Sequence, residues 1–159
     1  MTNKIVEEPI ILDHKVDLPF SWSTGRYVGK FYEEIRDNGK IFCNVCPKCG
    51  LALIPPRIFC GRCRVEMGEW HEVGPEGTVL LFTIVEQSFW DALQNKMSAV
   101  PFTTAYIELD GPYPVAFSHV LKETNPDKLS IGLRVRPVFK PQEERKGHLT
   151  DIIHFEAIE

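Results

Sequence analysis

Four thiols set the chemistry this chain can do. The sequence reads Cys46-Pro47-Lys48-Cys49-Gly50 and, after ten residues beyond Cys49, Cys60-Gly61-Arg62-Cys63. A C-x-x-C turn lets two sulfurs converge on one ion, and two such turns supply the four ligands of a tetrahedral metal site. The residue after the second cysteine of such a turn takes positive φ, which Gly50 does without steric cost. Pro47 fixes φ inside the first turn. The second turn has Arg64 where the first has glycine, and Gly61 is expected to relieve its crowding. Buried free thiols or a disulfide pair are the plainer readings, but doubled C-x-x-C spacing favours a metal. Zinc is expected, with iron in a four-thiolate site as the alternative. Four sulfurs leave no open position, so the ion would hold the fold rather than activate water.

Cys43 makes a second register possible, with Cys43 and Cys46 as the first pair. Only Cys46 and Cys49 carry the proline and the trailing glycine, so Cys43 is expected to be a packed small hydrophobe. A reactive thiol among basic neighbours is the less favoured alternative. His71 lies close enough in sequence to be a fifth candidate ligand. The segment 40–70 carries five basic and two acidic residues, a net +3, against −2 for 1–39 and −5 for 71–159. Its cations, chiefly Lys48, Arg57 and Arg62, either meet phosphate or an acidic protein face or simply steady four thiolates.

Other chemistry is not written in the chain. It holds no G-x-S-x-G, no phosphate-binding loop and no G-x-G-x-x-G. None of His14, His71, His119, His148 and His154 has a carboxylate at a spacing that suggests an acid–base pair. His119 falls mid-strand among apolar residues and is expected to be a hydrogen-bonded core histidine. The chain alone does not read as an enzyme.

The elements that must position the thiols follow from periodicity. Residues 1–22 read as an extended arm with the aromatic stretch Leu18-Pro19-Phe20-Ser21-Trp22. From Gly25 to Asp37, Val28, Phe31 and Ile35 recur at helical spacing between Tyr27 and Tyr32, with Ser23 or Thr24 as cap and Asn38-Gly39 as stop. The arm and this aromatic helix together carry more apolar surface than a small domain needs, which predicts an interface. Leu51 to Phe59 fits short hairpin strands joined through a stiff Pro55-Pro56 link. Strands are then expected at Thr78–Val85, Thr104–Leu109, Val115–Leu121, Leu133–Phe139 and Ile152–Ile158. Phe89, Leu93 and Met97 recur every four residues, which predicts a short helix in the insert 87–98. Residues 141–149 read as a polar, mobile loop.

The expected fold is mainly β with a short N-terminal helix: arm and helix over 1–39, a zinc ribbon over 40–72 and an OB-type barrel over 73–159. An SH3-like barrel satisfies the same pattern. Charged residues at 25% and hydrophobic residues at 43% are ordinary for a globular protein. No stretch is long and apolar enough for a membrane span, and the acidic start lacks a signal-peptide core, so a cytoplasmic location is expected. Cysteines confined to 43–63 suit a metal in a reducing compartment.

The order of these parts resembles a known family. A short helix (Phe31 to Gly39) leads into Cys46 to Gly50, Pro55-Pro56-Arg57 and Cys60 to Cys63, then Gly77-Thr78-Val79 and Ile131-Gly132-Leu133-Arg134-Val135. This is similar to the rubredoxin-like zinc ribbon plus OB-fold proteins that work beside thiolases. The likeness runs from about residue 25 to the end, and Cys43, the insert at 88–101 and the tail at 141–150 depart from it. The resemblance implies a non-catalytic partner of a thiolase-fold subunit, two copies of each, acting on acyl-CoA with CoA as substrate of the complex. Within the family the benzoylsuccinyl-CoA thiolase branch looks most alike, which implies a place in aromatic degradation. The rival classes are a single-stranded nucleic-acid binder, with Phe82, Tyr106 and Phe117 stacking bases, and an iron electron carrier. The acidic barrel argues against the first.

Overall fold

The computed structural model describes residues 23–91 and 95–158. The arm expected over 1–22, with its Leu18-to-Trp22 stretch, lies outside them. Helix α1 spans Gly25–Asn38. The side chain of Ser23 accepts the Gly25 N–H at 3.1 Å. Gly39 ends the helix at φ 63°, and the N–H groups of Gly39 and Lys40 return to the carbonyls of Ile35 and Glu34. Such a reversal satisfies orphan carbonyls and needs a residue free to turn left-handed.

Strands β1 (Ile41–Val45), β2 (Ala52–Leu53) and β3 (Trp70–Val73) form a small antiparallel sheet with β1 in the middle. It carries both cysteine turns. A closed barrel follows, built from β4 (Gly77–Val85), β7 (Phe102–Leu109), β8 (Val115–Leu121), β9 (Arg134–Phe139) and β10 (Ile152–Ala157). Counting only these five, neighbours run first–second–third–fifth–fourth and back to the first. The third and fifth are parallel, meeting at Phe155 and Leu121, and the other pairs are antiparallel. That arrangement is the OB topology and not the SH3-like alternative.

The barrel alternates as its sequence demands. Val115, Phe117 and Leu121 face in, as do Ala105, Ile107 and Leu109 of β7 and Val135 of β9. Phe31 and Ile35 of α1 are as buried as the barrel residues and share one apolar cluster with them, together with Ile41, Cys43 and Val73 of the three-stranded sheet. The helix stripe thus packs within its own chain. Only its first turn, with Tyr27 and Val28 half-buried, is left at a surface groove, so Phe31 and Ile35 do not supply the exposed apolar surface expected of the helix.

Two further expectations are corrected. The insert is a β-hairpin of β5 (Trp90–Asp91) and β6 (Lys96–Met97), not a helix. Phe89 and Ser98 close it: the Phe89 N–H donates to Ser98 Oγ at 3.0 Å and the Ser98 N–H to the Phe89 carbonyl at 2.8 Å. A four-residue recurrence of apolar side chains is equally served by two facing strands. Residues 141–149 are tied down. Gln142 donates to the Asp37 carbonyl at 3.1 Å, and the His148 ring stacks on Tyr32 with centroids 6.1 Å apart. Fully buried Asp151 accepts the N–H groups of Lys146, Gly147 and His148 at 2.9, 2.7 and 3.1 Å. Burial works to raise its carboxyl, but these amides and the Lys140 ammonium outweigh it and hold the pKa below the ordinary range.

Candidate metal centre

The sulfurs of Cys46, Cys49, Cys60 and Cys63 all lie within 4.8 Å of one another, so these four residues could hold one metal ion. The two turns are copies of each other. The Cys46 N–H donates to the Leu51 carbonyl and the Cys60 N–H to the Val65 carbonyl, both at 2.9 Å. Gly50 and Arg64 return their N–H groups to the carbonyls of Cys46 and Cys60 at 2.9 and 2.8 Å. Both take positive φ, 69° and 56°. Gly61 therefore does not relieve the second turn; Arg64 itself adopts the left-handed conformation, at a cost of about 1 kcal/mol for a residue with a Cβ.

The donor set fits a four-thiolate ion. Cys49 and Cys60 place their sulfurs 3.8 Å apart. A tetrahedron with metal–sulfur bonds of about 2.3 Å has edges of about 3.8 Å. Cys46 and Cys60 are buried, Cys63 half-buried and Cys49 exposed. Cys46 and Cys60 form a small apolar cluster with Met67, and Cys63 packs against it. The Cys63 thiol is pushed up to about 12, first by its hydrogen bond to Cys49, then by burial and by Cys46. Thiolates this close disfavour one another unless a cation sits among them, which is the electrostatic case for an ion here.

Cys43 stands apart. It is fully buried in β1 within the main core, and burial pushes its thiol up, which suits the packed hydrophobe and not the reactive thiol. His71, opposite Cys43 in β3, packs its ring on Tyr113 at 4.7 Å and is outside the cysteine group. The residue that sequence reading missed is Asn44. Its side chain is completely buried, donates to the Arg57 carbonyl at 2.7 Å and accepts the Arg57 N–H at 3.2 Å. It acts as a surrogate strand that pins the Pro55-Pro56-Arg57 loop to β1. No local pattern announces a bond spanning 13 residues.

Lys48 and Arg62 occupy the equivalent third position of the two turns, and both are exposed. Arg57 is exposed on the rim of a groove between that pinned loop and the start of α1. Among the described residues Lys48, Arg57 and Arg62 make no ion pair. The aromatics proposed for base stacking divide differently than expected. Phe117 is buried and Phe82 packs against the core, while Tyr106 faces solvent.

His119 is the core histidine its position suggests. It lies against Phe117 and Phe155, and its Nε2 meets the Leu149 carbonyl at 3.4 Å. That contact requires the proton on Nε2, leaving Nδ1 buried with no partner among the described residues. Burial lowers its pKa, against the raising effect of the Leu149 carbonyl. A histidine with a depressed folded pKa costs stability as pH falls below its unfolded value near 6.5. Thermal unfolding at pH 7.5 and 5.5 should show a larger loss for the native chain than for His119→Gln; equal losses would remove this residue from the acid response.

Comparison with known proteins follows this architecture. Residues 70–140 match the family model for the C-terminal OB-fold domain of ChsH2. No curated protein gives a match. Among solved structures, the chain is similar to one described as the Ltp2–ChsH2(DUF35) aldolase, with TM-score 0.60 and 17% identity over 86% of this chain and 98% of that one. It is also similar to a protein of unknown function from the DUF35 family of Sulfolobus solfataricus, with TM-score 0.55 and 18% identity over 81% and 83% of the two chains. These likenesses carry the fold. Among the described residues no helix is long and apolar enough to cross a membrane.

Proposed function

We propose that this chain is the zinc-binding, non-catalytic subunit of a thiolase-type complex that makes or breaks carbon–carbon bonds in acyl-CoA. The observation that carries the reading is the match of residues 70–140 to the ChsH2 OB-fold domain. A ChsH2 chain of the same fold occurs in a structure described together with Ltp2 as an aldolase. The zinc ion is structural, held by Cys46, Cys49, Cys60 and Cys63. The buried thiol and the buried histidine are both spent on packing, which fits a chain whose partner carries the nucleophile and the base. The partner is a thiolase-fold subunit, two copies of each chain assembling about a two-fold axis. The substrate is benzoylsuccinyl-CoA, split with CoA into benzoyl-CoA and succinyl-CoA in the cytoplasm during aromatic degradation. Lys48, Arg57 and Arg62 supply positive charge toward an anionic counterpart in that assembly.

Co-expression with a thiolase-fold chain, followed by size exclusion and a cleavage assay with and without CoA, tests this. A heteromeric complex whose cleavage requires CoA is the expected result. Cleavage without CoA would reassign the complex to aldolase chemistry. A lone monomer that binds single-stranded nucleic acid and no thiolase would overturn the reading. Reversing the charge at Arg57 should reduce the activity of the complex, and more at low salt than at high, because exposed charges are screened as ionic strength rises. Unchanged kinetics would take Arg57 out of the function.

A further inference from the structure

The groove beside Arg57 has a built character that the metal site does not explain. It encloses about 430 Å³ between the first turn of α1 and the 55–59 loop. Tyr27, Val28, Pro55, Pro56, Ile58 and Phe59 line it. Ile58 and Phe59 are 46% and 61% exposed, a large apolar pair left in water. The walls are held rigidly. Asn44 pins the Arg57 backbone through both of its polar groups. Tyr27 donates to Glu66 Oε1 at 3.1 Å, and Phe59 and Glu66 form a β-bridge. A rigid surface loses little conformational freedom when it is covered.

Its charge is the second observation. Several cations elsewhere are paired with carboxylates, among them Lys40 with Glu72, Arg134 with Asp110 and Glu76, and Arg136 with Glu156. Arg57 on the groove rim, and Arg62 and Arg64 on the adjoining cysteine turn, are exposed and have no such partner among the described residues. An exposed arginine beside two large apolar side chains on a fixed loop is the composition of an interface anchor.

We propose that this groove is a docking site for an acidic peptide segment of the partner subunit, one that seats an aliphatic or aromatic side chain between Val28, Pro56 and Phe59 and a carboxylate on Arg57. The proposal rests on the subunit reading above. A nucleic-acid strand would need positive charge along a track longer than this groove, and the segment 71–159, which does not line it, carries net −5. The competing use of the cations is to offset a four-thiolate zinc, whose net charge is −2 by count of one divalent ion and four thiolates.

The test uses the co-expressed complex with a photo-crosslinking benzoylphenylalanine at position 59. Cross-links to an Asp- or Glu-bearing peptide of the partner chain are expected. Cross-links confined to this chain, whether to its residues 1–22 or to a second copy, would overturn the proposal. Arg57→Glu and, separately, Phe59→Ala should each weaken assembly about tenfold, as loss of an interface anchor does, with zinc content unchanged. Loss of zinc from Arg57→Glu would assign the cation to the thiolates instead. A raised KM for CoA with assembly intact would assign it to CoA phosphates. If the native chains fail to assemble at all, the subunit reading falls and this proposal with it; if they assemble but position 59 never reaches the partner, only the groove is wrong.

Discussion

Cys46→Ser should yield protein without its metal and without an ordered ribbon tip. The native chain should carry about one zinc per chain by elemental analysis, as a closed four-thiolate site requires. Metal binding at such sites supplies roughly 10 kcal/mol or more of folding free energy, so losing one ligand of four should unfold the segment that depends on it. Hydrogen exchange should show loss of protection through both cysteine turns. Cys43→Ser gives the contrast. Cys43 is buried in the main core and not in the cysteine group. Its substitution should leave the zinc in place and cost about 1–3 kcal/mol through a buried hydroxyl. Zinc lost from Cys43→Ser would mean the ligand register is shifted. A native chain that is fully folded without metal would end the structural-zinc reading.

Gly77→Ala should be the most damaging single methyl group in the barrel. Gly77 begins β4 at the point where it pairs with β7 on one side and β9 on the other. A Cβ built there would lie 2.5 Å from the Glu108 carbonyl oxygen and 2.8 Å from Ile107 Cγ2. The first neighbour is backbone, so relief requires the two strands to separate. Overpacking of this kind costs about 1–3 kcal/mol, or roughly 2–10 °C of melting temperature at this chain length. Gly61→Ala is the control, since a Cβ at Gly61 meets nothing within 4 Å. Equal melting temperatures for the two variants would show that the barrel mouth yields more than its packing implies. The substitution also explains why a glycine opens the first strand of the motif Gly77-Thr78-Val79.

Much of this molecule is legible from its residues because the governing rules are local. The cysteine turns follow from spacing, the helix end from Asn38-Gly39, and the strands β8 and β9 from alternation. What escaped is what depends on distant groups. Phe89 and Met97 sit eight residues apart whether they lie on one helical face or on two strands of a hairpin, and only Ser98 closing onto Phe89 decides. The loop 141–149 looks solvated until Asp151, Tyr32 and Asp37 reach it from elsewhere in the chain. Asn44 reads as an ordinary strand polar residue, yet it positions Arg57. The basic ribbon residues are visible in the sequence as charge alone. Their arrangement divides them between a groove rim and two cysteine turns.

The separation of the molecule into two apolar clusters has a consequence for its lifetime. Phe31, Ile35, Ile41 and Val73 join α1 and the base of the three-stranded sheet to the barrel, while Cys46, Cys60 and Met67 form a separate nucleus at the candidate metal site. If an ion is held there, its loss should dissolve the second cluster and leave the first intact. The loosened stretch would then present Lys48, Arg57, Arg62 and Arg64 on extended backbone, four cleavage points for a trypsin-like protease within 17 residues. Metal-depleted copies would be clipped at the ribbon while their barrels survive. Metal supply would thereby set how long each chain persists.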